Sequence, residues 1–106
     1  MNIKSEFKEN ETFEKILRNT YPKQICDTII DWTNNALKYI FKKSDINGKF
    51  IKGRVNWITK EIEYSNDLCS FEDIIIKVIN EMELALDDND NKENIEKELK
   101  MLYEIL

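Results

Sequence analysis

The chain contains no histidine, and that one absence removes more chemistry than any residue present supplies. Without imidazole there is no Ser-His-Asp triad, no Cys-His pair, no Glu-x-x-His ligand set for a di-iron bundle and no ordinary zinc site. Glycine occurs only twice and proline once in 106 residues. So few glycines cannot build the Gly-rich loops that cradle phosphates in the common nucleotide-binding folds. The same scarcity argues against many short strands joined by tight turns and favours a few long helices. Cys26 and Cys69 form no C-x-x-C spacing and read as packed thiols in a reducing compartment. The longest apolar run, Ile74–Ile76 followed after Lys77 by Val78 and Ile79, falls far below the roughly 20 residues that span a bilayer. Residues 1–10 carry no apolar run of the kind a secretory signal needs, so a cytoplasmic location without membrane association is expected.

What is present is charge and helical period. Hydrophobic residues make up 42% and charged ones 35%, the balance of a strongly amphipathic folded chain, and the length suits a single domain over residues 1–106. The most continuous stripe is Ile25, Ile29, Thr33, Ala36, Leu37, Ile40 and Phe41, which predicts a central helix from Pro22 to Lys43. Before it, Phe13, Ile16 and Leu17 share one helical face, with Asn10 or Thr12 available as cap. After it, Ser70 and Asp73 approximate a capping box for a helix whose apolar face is Phe71, Ile74, Ile75, Val78, Ile79, Met82, Ala85 and Leu86. Ile95, Leu99, Leu102 and Leu106 give a last helix.

Residues 49–64 are contested. Ile51, Val55, Ile58 and Ile62 sit at helical spacing, yet Asn47-Gly48 is a hairpin signal, and the segment is rich in Val, Ile, Thr, Trp and Tyr. Helix is the expectation, and a strand or hairpin giving an α+β fold is the alternative. The predicted fold is therefore all-α, a small bundle of about four main helices plus a short N-terminal one.

No constellation of residues points to catalysis, a bound cofactor or a metal, and the chain is expected not to be an enzyme. Asp27 with Asp31, and Glu93 with Glu96, pair carboxylates on a helical face, but among 21 acids such pairs arise by chance. Asp87, Asn89, Asn91 and Glu98 occupy four positions of a calcium loop, but Lys92 replaces the glycine its sharp turn requires. A solvated acidic turn is the simpler reading.

Charge is polarised along the chain. Residues 1–60 hold 12 Lys/Arg against 7 Asp/Glu, and residues 61–106 hold 4 against 14. Lys38, Lys42, Lys43, Lys49, Lys52, Arg54 and Lys60 interleave with Tyr39, Phe41, Phe50 and Trp57, which is the pattern a nucleic-acid-binding regulator would use. Against that stands a pI of about 4.8. The leading expectation is a monomeric protein that binds a basic protein partner through its acidic half. Glu61, Glu63, Asp67, Glu72 and Asp73 would supply the charge, and Trp57 and Tyr64 the desolvated anchors. In size, acidity and helical pattern the chain resembles the small cytoplasmic inhibitors that neutralise toxins, such as bacterial immunity proteins. That likeness of type implies an inhibitor covering a basic site on a toxin, for instance a nuclease.

Overall fold

The computed structural model describes residues 10–46, 48–88 and 92–106, and the amphipathic beginning that Ile3 and Phe7 predict, with the expectations that fall on Asn47, Asn89 and Asn91, lies outside them. Chain order is helix α1 (Glu11–Thr20), helix α2 (Lys23–Asp31) continued by a π-turn (Trp32–Ala36), strands β1 (Tyr39–Lys43), β2 (Lys49–Asn56) and β3 (Glu61–Ser70), helix α3 (Phe71–Ala85) with a short 3-10 turn, and helix α4 (Lys92–Glu104). The three strands form one antiparallel sheet in the order β1-β2-β3. The fold is thus α+β and not the all-α bundle that periodicity suggests.

The correction has a local cause. The central helix begins beside Pro22 as expected but stops at Ala36, where the wider π-turn closes with the Leu37 amide donating to the Trp32 carbonyl at 2.8 Å. Lys38 then adopts a left-handed backbone, φ 57°, and turns the chain out of the helix. Tyr39, Ile40 and Phe41 follow, all buried although adjacent. An amphipathic helix would expose one of three consecutive residues, whereas a strand covered on both faces buries all of them.

The stripe over residues 51–62 fails for a related reason. A spacing of four is two alternations of a strand as well as one helical turn, so Ile51 and Val55 share a sheet face. Ile58, which breaks that parity, lies in the β2–β3 turn and is 93% exposed. The Asn56 side chain accepts from the backbone amides of Ile58 and Thr59 at 3.0 and 3.2 Å, an Asx-turn that shapes this connection. Residues 65–69 belong to β3. Ile51 opposes Leu68 and Gly53 opposes Tyr64, so residues 65–67 stand against Lys52 alone as a bulge.

One face of the sheet presents Tyr39, Phe41, Phe50 and Cys69 to the helices, where they join Phe13, Leu17, Cys26, Ile29, the α3 residues Ile74, Ile75, Val78, Ile79 and Met82, and Ile95, Leu99 and Leu102 of α4. Phe13 is central to this core, with ring centroids 5.1 Å from Phe41, 6.0 Å from Phe50 and 5.8 Å from Phe71. The other face carries Ile40, Gly53, Val55, Ile62 and Tyr64. A Cβ on Gly53 would lie 2.8 Å from the Tyr64 ring, so only glycine lets that ring rest on the β2 backbone.

Helix α3 starts where its sequence signature places it. Ser70 Oγ accepts from the Asp73 amide at 3.2 Å and the Asp73 carboxylate accepts from the Ser70 amide at 3.1 Å. The Ser70 amide leads in holding the Asp73 carboxyl below the usual range, and the Ser70 hydroxyl adds to it. A lowered native value means that the contribution of Asp73 is complete above the unfolded-state pKa and is lost as pH falls through the native one. Ser70→Ala is expected to destabilise the chain by about 1 kcal/mol, read by urea denaturation. A loss below a few tenths would show that the cap is dispensable.

Candidate functional site: a charged strand edge and a cation-lined indole

The sheet has two edges, and they differ. Asn10 closes the edge of β1: its Nδ2 donates to the Tyr39 carbonyl at 3.0 Å while its Oδ1 accepts from the Phe41 amide at 2.6 Å. A side-chain amide thereby replaces a neighbouring strand. The sequence offers Asn10 as a helix cap, but its side chain makes no cap bond and is fully buried against β1. Asn34 completes the arrangement, accepting from Asn10 Nδ2 at 2.8 Å and donating to Glu14 at 3.2 Å. Among the described residues no strand pairs with the outer edge of β3.

Along that outer edge lie the predicted partner-binding acids Glu61, Glu63 and Asp67, all exposed, followed by Glu72 and Asp73 in the first turn of α3. The structure therefore strings these five along one margin of the molecule, from the end of the β2–β3 turn to the first turn of α3. Two of them have internal work. Asp73 caps α3, and Glu63 accepts from Asn56 Nδ2 at 2.8 Å. Tyr64 is on β3 as well, 39% exposed, with Lys42 Nζ 5.6 Å from its ring centroid.

Trp57 does not join the acidic margin. It stands in the β2–β3 turn, 38% exposed, with the ammonium groups of Lys38 and Lys60 at 5.2 and 5.3 Å from its ring centroid. Lys38 and Lys60 are also the two described non-glycine residues with positive φ, 57° and 63°. A left-handed backbone costs a residue with a Cβ on the order of 1 kcal/mol or more, so two lysines in that state beside one indole set this corner apart from the rest of the sheet. Lys60 closes the Asn56 turn, its amide donating to the Asn56 carbonyl at 2.7 Å, whereas Lys38, between Leu37 and Tyr39, has no turn residue beside it to mark it.

The basic segment and the acidic half, consecutive in sequence, fold back on one another as hydrogen-bonded neighbours: Arg54 opposes Glu63 and Asn56 opposes Glu61. Even so, the ion pairs among the described residues are Arg18–Asp27 and Lys23–Asp27, at 3.4 and 3.1 Å, away from the sheet. The Lys23 hydrogen bond leads in lowering the Asp27 pKa, so this carboxylate serves as a surface ion-pair partner. The sheet cations lie instead over aromatic rings. Lys52 and Arg54 are 4.9 and 4.7 Å from the Tyr39 centroid, and Arg54 Nε donates to the Leu37 carbonyl at 3.4 Å. Tyr39 is held in turn by its hydroxyl, which donates to Glu81 at 3.2 Å, and burial leads in raising its pKa.

A cavity of about 310 Å³ opens beside Trp57, lined by Ala36, Leu37, Lys38, Arg54 and Val55. A smaller one, about 200 Å³, lies by Asp31, Trp32, Ala36 and Glu98, where the Trp32 indole donates to Glu98 at 2.7 Å. Glu98, the twelfth position of the calcium-loop pattern, is thus engaged by an indole. Among the described residues no three acids or cysteines are grouped to hold a metal ion, and no helix is long and apolar enough to cross a membrane. In comparison with known proteins, the chain matches no family model, no curated protein and no solved structure.

Proposed function

We propose that this chain is an inhibitor-type interaction protein that binds a basic protein partner, such as a toxin with a phosphate-binding active site, along β3 and the first turn of α3. The observation that carries the reading is the asymmetry of the sheet. The β1 edge is closed by Asn10, while the ten-residue β3 edge has no strand partner among the described residues and bears Glu61, Glu63 and Asp67, continued by Glu72. Carboxylates in such a row complement the positive charge of a surface built to hold phosphates, and would raise the encounter rate with it. Tyr64 remains a candidate anchor at the centre of this margin. Trp57, in its cationic surroundings, is less suited to that role.

Charges on an edge strand also keep sheets from pairing with one another. The two roles separate experimentally. Glu61→Lys with Glu63→Lys, and Asp67→Lys with Glu72→Lys, are expected to weaken partner binding by about 10-fold or more per pair at low salt, and less at high salt where screening is stronger. The measurement is titration of the variants against the partner recovered from the native host, at two ionic strengths. Unchanged affinity in both double variants, with self-association on neutralising the acids, would assign them the protective role alone and sink the proposal.

A further inference from the structure

We infer that the cavity between the end of α2 and the β2–β3 turn is a binding site for a nucleotide unit, with its base against Trp57 and its phosphate between Lys38 and Arg54. The site adjoins the Glu61 end of the acidic β3 margin, Glu63 lying opposite Arg54, but does not depend on the inhibitor reading.

Three observations converge on this corner. Lys38, Arg54 and Lys60 surround it, and none forms an ion pair among the described residues. The guanidinium is preorganised, since Arg54 Nε donates to the Leu37 carbonyl and the group lies over Tyr39, whose hydroxyl is tied to Glu81. Finally, both lysines take a left-handed backbone, Lys38 where the chain leaves the π-turn and Lys60 where its amide donates to the Asn56 carbonyl at 2.7 Å, and the two turns bring their ammonium groups over one indole. Backbone strain that brings charge to one place is a mark of sites that bind.

The chemistry of the lining selects the ligand class. An acidic peptide would satisfy the cations but leave the indole face unused, and an apolar ligand would leave the cations unused. A nucleotide has both a π-face and a phosphate. The cavity volume, about 310 Å³, lies at the small end of the range for ligand pockets and suits a single unit. Without ligand, the ammonium groups rest over the indole. A cation over an exposed ring is held weakly compared with an ammonium bonded to phosphate oxygens, so an arriving phosphate draws the lysines off and opens the ring face to a base.

The same chemistry can come from a free nucleotide or from a single-stranded nucleic acid, and the experiment separates them. The full chain is titrated with AMP, with decathymidylate and with inorganic phosphate while the two indole N–H resonances are followed by NMR, Trp57→Phe identifying the Trp57 signal. The Trp57 resonance is expected to shift while that of Trp32 stays in place. Response to AMP supports a free nucleotide as ligand, and response to decathymidylate alone supports a polynucleotide. Lys38→Gly and Arg54→Gln are each expected to weaken binding by about 10-fold. Lys38→Gly tests the strain argument directly, because glycine adopts φ 57° freely. This variant should melt no lower than the parent and still lose affinity. Three results would overturn the assignment: no shift of the Trp57 resonance with AMP or decathymidylate, inorganic phosphate acting as well as AMP, or undiminished binding by Lys38→Gly.

Discussion

Phe13→Ala is expected to destabilise the protein by about 3 to 5 kcal/mol, enough to leave much of a marginally stable domain unfolded at room temperature. Phe13 is 1% exposed and its ring touches residues of three further elements: Phe41 on β1, Phe50 on β2 and Phe71 at the start of α3. Truncation removes the transfer free energy of the ring and leaves a cavity that α1, the sheet and α3 would have to close together. Those elements are held apart by other side chains, so collapse should be incomplete and the loss should fall toward the upper end. Phe13→Leu, which keeps most of the volume, should cost less than half as much. Urea denaturation of both variants checks this, and a loss of under 1 kcal/mol for the alanine variant would mean that Phe13 is not the junction described here.

Asn10→Ala should rank next. The substitution strands the Phe41 amide and the Tyr39 carbonyl, both belonging to buried residues, and removes the donor to Asn34. Each buried polar group left without a partner costs about 1 to 3 kcal/mol, so a loss of about 2 to 4 kcal/mol is expected. Asn10→Asp distinguishes hydrogen bonding from packing. A carboxylate still accepts from the Phe41 amide but sets negative charge against the Tyr39 carbonyl, so this near-isosteric change should also destabilise. Amide exchange gives a local readout, since protection at Phe41 should fall more than protection in α3. Equal stability of all three proteins would show that water can replace the side-chain amide at the β1 edge.

These residues also mark how far the sequence can be read. Helix α1 with Phe13 and Leu17, the start of α2 beside Pro22, the Ser70–Asp73 cap and the apolar faces of α3 and α4 are legible, because each depends on neighbours within a turn or two, while Ile16 and Leu106 of the predicted stripes are exposed and Leu106 lies past the end of α4. Local propensity and period suffice there. The acids of the β3 margin were legible for the same reason, as exposed charge near one stretch of chain.

The sheet was not legible in that way. Tyr39–Phe41 continues the helical stripe of α2 in sequence, and only burial from both sides makes a strand the better conformation. The spacing of Ile51, Val55 and Ile62 fits a helix and a strand alike, and the choice rests on pairing with β1 and β3. Asn10 reads as a cap because a cap needs only its own helix, whereas its bonds to Tyr39 and Phe41 cross about thirty residues and exist only once β1 is in place. The convergence of Lys38, Arg54 and Lys60 on the Trp57 corner has the same origin. What the sequence by itself determined is the helical ends of the chain, the charge balance and the chemistry ruled out by the lack of histidine and glycine. What only the tertiary structure decided is the sheet, the closing of its β1 edge and the side-by-side pairing of the basic and acidic segments, since each depends on hydrogen bonds and burial that reach beyond a residue's neighbours within a helical turn or two.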